Sequence, residues 1–267
     1  MAITGAARGI GLATAELLLA RGARVALGDL VAPTPPSGHD DRAIGLVVDV
    51  TDEASFAAFL AEAERAHGPL AALVNNAGIM SVGPFLDEPL ATTQRQIDVN
   101  VRGVITGTRL SLPGMVARRS GHVLNLGSAA SLIGLPGEAV YCATKHAVLG
   151  FSEAVRTELR GTGVEITVVM PNLAGTDLGA GMTPARGSKL LTPEQVAAAI
   201  VGAIERPRFE VAVPAAVGRQ LKVRRLLPVK ARDALGRALG IDAVGTQFKQ
   251  QERAAYQAEL DRSGGGG

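Results

Sequence analysis

The chain has 267 residues and a formal net charge of +2. It fits one large α/β domain, and its charge is too nearly balanced to mark a nucleic-acid-binding protein. Hydrophobic residues make up 47% but aromatic ones only 3%, with no tryptophan, so any core must be built from close-packed Ala, Val, Leu and Ile.

The single cysteine, Cys142, excludes an internal disulfide and a Cys-based zinc site. His39, His67, His122 and His146 lack ligand spacing, so no metal is expected. The opening has no signal-like segment and every apolar run is interrupted short of a membrane span, which makes a cytoplasmic location the default expectation.

Short aliphatic or β-branched runs at 1–4, 23–28, 43–48, 70–74, 122–126, 164–170 and 209–213 read as seven strands, with helical patterns between most of them. Alternation of this kind implies βαβ crossovers and a doubly wound parallel sheet with helices on both faces. Run 1–4 is short for a central strand and reads as a frayed sheet edge or a late start.

It leads into "ITGAARGIGLATAELLL", where Gly5, Gly9 and Gly11 allow a tight turn and close backbone approach at a helix N-terminus, a site suited to phosphate. Asp29 closes the second strand, where a carboxylate can hold both hydroxyls of an adenosine ribose and repel a 2′-phosphate, favouring NAD over NADP. Arg8 pulls the other way, since a cation in the loop can pair with an extra phosphate, but Leu30 after Asp29 is not a base. Residues 30–41, "LVAPTPPSGHDD", hold three prolines and form a loop in place of a crossover helix.

Further on, "ALVNNAG" ends a strand with turn-forming residues at the sheet's carboxyl edge, where ligands bind. In "VYCATKHAV", Tyr141 and Lys145 share one helix face, and the ammonium is expected to lower the phenol's pKa. Cys142 beside them reads as a small buried residue. This helix should end near Arg160, where Gly161 and Gly163 permit left-handed caps. "TPEQVAAAIVGAIER" opens with Thr192 as N-cap, Pro193 in the first turn and Gln195 completing a capping box, predicting a helix to Glu205.

Together "TGAARGIG" (4–11), "DVTD" (49–52), "NNAG" (75–78), Asn100, Ser128 and "YCATK" (141–145) resemble the single-domain branch of the short-chain dehydrogenase/reductase family, over about residues 1–213. The resemblance implies a Rossmann-type, doubly wound seven-stranded parallel sheet and a nicotinamide dinucleotide cofactor, which the Asp29 reading above makes NAD in preference to NADP. By it, Ile10 offers an amide to the phosphates, Asp49 and Val50 contact adenine, and Asn75, Asn76, Ala77 and Gly78 lie beside the ribose.

By the same resemblance Tyr141 is the general acid/base and Ser128 binds the substrate oxygen, while Asn100 holds a water linking Lys145 to solvent through a local helix distortion. Where the family has Pro-Gly, this chain has Pro171 followed by Asn172, whose tolerance of positive φ keeps the turn possible. Ala174 and Thr176 are then placed beside the nicotinamide carboxamide. A homodimer or homotetramer is also implied.

The glycine-rich segment 173–191 reads as a lid. Ala129, Ala130, Leu132, Leu135, Val140, Leu173 and Met182 would give apolar walls suited to a lipophilic secondary alcohol or ketone. Residues 214–267 read as a basic helical tail with a disordered end, whose leucines and arginines pack on the body or another subunit, or make peripheral membrane contact. Besides an NAD-dependent dehydrogenase, two readings stay open: a dinucleotide-binding sensor or scaffold without turnover, and an epimerase or dehydratase with retained cofactor.

Overall fold

The computed structural model describes residues 1–185, 189–246, 248, 249, 251–254 and 256. Seven parallel strands, β1 (Ala2–Thr4), β2 (Val25–Asp29), β3 (Ala43–Val47), β4 (Ala72–Asn75), β5 (Gly121–Leu126), β6 (Val164–Pro171) and β7 (Glu210–Val213), form one sheet in the order β3-β2-β1-β4-β5-β6-β7. All seven expected runs are strands, with ends shifted by one or two residues.

The first is not a sheet edge. β1 lies between β2 and β4, pairs with both, and is fully buried. Three residues suffice because neighbours on both sides saturate its backbone groups.

Alternation along the strands assigns each residue to a face. Ile3, Leu27, Val74 and Leu124 pack against α1 (Gly9–Ala20) and α6 (Pro193–Glu205), through Leu18, Leu19, Val196 and Ile200. Ala2, Ala26, Leu73 and Val123 point the other way, onto α2 (Glu53–His67) and α4 (Gly103–Arg118), where Phe56, Phe59 and Met115 fill the space. The strand order reverses direction at β1/β4, and the crevice at the carboxyl ends of these strands holds the site.

Helix α6 has the expected boundaries and capping box, with Thr192 Oγ1 accepting from Gln195 N at 3.3 Å and Gln195 Oε1 accepting from Thr192 N at 3.0 Å. Helix α5 (Ala139–Glu158) begins two residues before Tyr141 and stops before Arg160, followed by Gly161 and Gly163 at φ 78° and 80°. The proline-rich segment after β2 contains no helix.

The tail divides at Pro228 into α7 (Ala215–Arg224), packed on β7, and α8 (Val229–Ala238). Leu226 and Val229 between and beside them are exposed. The chain then returns across the carboxyl edge of the sheet, where Met182 and Phe248 form an antiparallel bridge. The expected disordered end, SGGGG (263–267), and lid residues 186–188 lie outside the described residues. No helix among the described residues is long and apolar enough to cross a membrane.

Candidate active site

A cleft of about 1430 Å³ opens at the carboxyl edge. Its floor is the turn between β1 and α1, with Gly5 and Gly9 at φ 66° and 58°, the left-handed region that glycine enters without steric cost. Gly5, Arg8, Gly9 and Ile10 line the cleft, whereas Gly11 lies beneath them. A Cβ on Gly11 would meet Gly5 O at 2.2 Å, so this glycine lets the helix pack under the turn. Backbone amides at the α1 N-terminus face the cleft with a partial positive charge, an anion site.

Asp29 ends β2 on the same floor. Its Oδ2 accepts from Ala7 N at 3.0 Å and its Oδ1 from Leu30 N at 2.8 Å, leaving lone pairs on both oxygens. Asp49 and Val50 line the adjoining wall, with Asp49 Oδ1 held by the amide and hydroxyl of Thr51. Asn76, Ala77 and Gly78 also line the cleft; Asn76 Nδ2 donates to Thr4 O and Gly5 O at 2.9 and 2.8 Å, tying β4 to the glycine turn. Asn75 instead points into the protein, donating to Asn125 Oδ1 at 2.9 Å, because strand alternation turns it away from the crevice.

Across the cleft stand Ser128, just beyond β5, and Tyr141 and Lys145 on the first turns of α5. The Ser128 hydroxyl lies close enough to the Tyr141 phenol to favour its charged form. Lys145 Nζ donates to Leu126 O at 2.8 Å and stands 5.6 Å from the Tyr141 ring centroid.

The expected lowering of the phenol's pKa by this ammonium is not what the structure shows. Burial pushes Tyr141 above its usual range and the Glu138 carboxylate adds to the rise, with only the Ser128 hydroxyl opposing it. Lys145 itself is lowered to about 8 by burial. Desolvation wins because both groups are enclosed and the ammonium is directed to a carbonyl and the ring face.

Asn100 does not line the cleft. It sits behind it on a π-helical turn, Asp98–Arg102, between α3 (Leu90–Ile97) and α4. Its Oδ1 accepts from Ile79 N at 2.9 Å, and its Nδ2 donates to Ile79 O at 2.8 Å and Thr144 Oγ1 at 3.2 Å. The turn is the helix distortion anticipated there, and the side chain ties α5 to the segment after β4.

Pro171, Ala174 and Thr176 line the mouth of the cleft. Asn172 is extended into pairing with β7, its N donating to Val213 O at 2.8 Å, and does not take positive φ. The strand simply runs one residue further than expected. Thr176 lies over Gly9: a Cβ added there would meet its Cγ2 at 3.2 Å. Arg8 Nε reaches Asp177 Oδ2 at 3.2 Å, so this cation is engaged by the opposing loop. Of the expected apolar walls, Ala129, Ala130, Leu135, Leu173 and Met182 line the cleft, while Leu132 and Val140 are buried behind it.

The roof was not anticipated. Tyr256 Oη accepts from Met80 N at 3.1 Å, and Arg253 donates to Met80 O at 2.7 Å, Leu178 O at 3.1 Å and Ala180 O at 3.4 Å. Val244 and Tyr256 line the cleft beside Glu138. The one available signal was that the chain has only two tyrosines and the second falls in its polar tail. Cys142 is buried with its thiol pushed up to about 11, as a packing residue would be. Among the described residues no cluster could hold a metal ion.

Residues 1–187 match the family model for short chain dehydrogenase. The inactive 2-(S)-hydroxypropyl-CoM dehydrogenase 2 of Xanthobacter autotrophicus is 43% identical over 162 residues, covering 59% of this chain and 70% of the relative. The 2-(S)-hydroxypropyl-CoM dehydrogenase 3 of the same organism is 35% identical over 224 residues, 75% of this chain and 87% of its own length. A crystal structure of a short chain dehydrogenase from Burkholderia cenocepacia in complex with NADP superposes with a TM-score of 0.76 at 25% identity, covering 89% of this chain and 96% of that one. The chain belongs to the short-chain dehydrogenase/reductase family.

Proposed function

We propose that the protein is an NAD-dependent oxidoreductase acting on a secondary alcohol or its ketone. The observation that carries the reading is the meeting of Ser128, Tyr141 and Lys145 across one cleft from the glycine turn. The Burkholderia cenocepacia neighbour was solved with NADP, a ligand of the class that this turn fits. Gly5 and Gly9 open the backbone to a pyrophosphate, and the packing at Gly11 brings the α1 amides to it. Asp29, with lone pairs free on both oxygens, suits an unphosphorylated ribose, hence NAD. When bound, the nicotinamide dinucleotide supplies the hydride acceptor or donor.

The chain's own residues handle the proton and the substrate oxygen. Ser128 donates to that oxygen as charge develops on it. Tyr141, once its own proton has left through Lys145 to solvent, takes the alcohol's proton in oxidation, and as the phenol it donates that proton in reduction. Lys145, lowered to about 8, can exchange a proton near neutral pH, which suits it to pass protons between the phenol and solvent along the path that Asn100 positions. Ala174 and Thr176 hold the carboxamide end, residues 173–191 act as the lid, and Leu135, Leu173 and Met182 enclose the substrate's apolar part.

Initial rates with NAD⁺ and NADP⁺ across a series of secondary alcohols test this. Faster turnover with NAD⁺ and release of NADH are expected; preference for NADP⁺ overturns the role of Asp29, and absence of NADH release overturns the oxidoreductase reading. A dinucleotide binder without turnover is the second reading, favoured by the relative named as inactive. It requires tight NADH binding with no product under the same conditions. The exposed Leu226 and Val229 beside Arg224 and Arg225 support peripheral contact with an anionic surface. Failure of the intact protein to sediment with anionic vesicles overturns that contact.

A further inference from the structure

The wall beside Tyr141 carries a charged group that the chemistry above leaves unused. Glu138 precedes α5, lines the same cleft as Tyr141 and Ser128, and is 3% exposed. Carboxylates are rarely buried so fully without partners. Among the described residues its side chain has no hydrogen-bonding partner and Oε1 is sealed from solvent. Gly245 closes over it: a Cβ added there would lie 3.1 Å from Oε1.

Arg253 acts on the carboxylate only at longer range: its Nη1 and Nη2 donate to the Leu178, Ala180 and Met80 carbonyls, and its Nε makes no hydrogen bond to Glu138 or to any other described residue. Burial raises Glu138 to about 7, the cost of an acceptor left without a donor. Oε1 is closed off beneath Gly245, so a donor for this carboxyl comes from the cleft side, to Oε2.

We propose that Glu138 is a substrate-binding residue, whose carboxyl accepts a hydrogen bond from a second hydroxyl on the substrate, close to the carbon that reacts at Tyr141. This rests on the oxidoreductase reading and narrows its substrate class, from plain lipophilic alcohols to hydroxylated ones with an apolar remainder. The donor is a neutral hydroxyl rather than an ammonium because Lys145 and Arg253 already place two cations around this end of the cleft. Leu135 and Met182 on the adjoining walls receive the apolar remainder.

Isosteric ketone pairs test the assignment: hydroxyacetone against butanone, and the same pair lengthened by one methylene, each reduced with NADH by wild type, Glu138→Leu and Glu138→Gln. Wild type should favour the hydroxylated member by about tenfold or more in kcat/KM, the scale of one hydrogen bond to a buried charged group. Glu138→Leu should abolish that ratio through KM, and Glu138→Gln, which keeps an acceptor and the volume, should retain most of it. An unchanged ratio in Glu138→Leu, or equal loss on both members of a pair, overturns the proposal.

Ligand-observed NMR of the same ketones with NADH-saturated protein separates this proposal from the reaction. Preferential binding of hydroxyacetone that Glu138→Leu removes, without turnover, supports the subsite and overturns the redox reading. Turnover without any such preference overturns the subsite alone.

Discussion

Lys145→Met is expected to make the protein inactive yet more stable. The lysine is 4% exposed, and burial lowers it from 10.5 to about 8. At pH 7 both folded and unfolded chains carry the proton, but the folded one holds it less firmly by about 2.5 pKa units, a cost of about 3 kcal/mol. The unfolded chain binds more protons between pH 8 and 10.5, so the sign is clear: wild-type stability rises with pH in this window, and at pH 9 the penalty has fallen to about 2 kcal/mol.

Methionine matches the stem and removes the charge, while leaving Leu126 O without its 2.8 Å donor, which costs about 1–2 kcal/mol. The variant should therefore exceed wild type by about 1–2 kcal/mol at pH 7, with the gap narrowing by about 1 kcal/mol at pH 9. Urea unfolding of both proteins at the two pH values measures this, alongside turnover. A variant less stable than wild type at pH 7, with a difference that does not change with pH, would refute the reasoning.

Gly11→Ala should weaken NADH binding about tenfold or more although Gly11 does not line the cleft, because its Cβ would press on Gly5 O at 2.2 Å and Asn76 Nδ2 at 2.7 Å and shift the turn. Fluorescence titration reads this, and wild-type affinity would contradict the packing argument. Two buried groups should also shape stability in acid. His122, hydrogen-bonded to Thr167 and lowered by burial to about 4, stays neutral when folded, so stability is lost as pH falls below 6.5. Glu138, raised by burial to about 7, acts oppositely: the folded chain takes its proton first, and stability is gained as pH falls from 7 towards 4.5. Glu138→Gln removes the second effect, so between pH 7 and 5 the variant should lose about 2 kcal/mol more than wild type by denaturant unfolding. Parallel profiles would rule out the raised carboxyl.

What the sequence made legible was local. Strand runs, the Thr192 capping box and the glycine turn depend on residues a few positions apart, and each recurs in the structure. The edge alternative for β1 fails because its neighbours β2 and β4 are chosen by long-range pairing, which a three-residue run does not reveal. Asn172, just past the end of β6, takes no positive φ because Val213 O of β7 supplies its N–H with a partner.

The largest departures concern burial. Proximity of Tyr141 and Lys145 followed from helix spacing, but the raised phenol depends on how completely the surroundings exclude water. Glu138 looks like an ordinary helix-leading carboxylate until Gly245 covers it. Arg253 is one basic residue of a polar tail until it is seen bonding Met80, 173 positions earlier.

The central claim is that the Tyr141 phenol exchanges a proton with the substrate oxygen. The most direct measurement is the rate of NADH formation from a secondary alcohol by Tyr141→Phe, with NADH affinity followed in parallel. The variant keeps the ring that faces Lys145 and lacks only the phenolic oxygen. Turnover should fall by about 10²–10⁴-fold while NADH still binds. Turnover within about threefold of wild type, well short of that loss, would contradict the account.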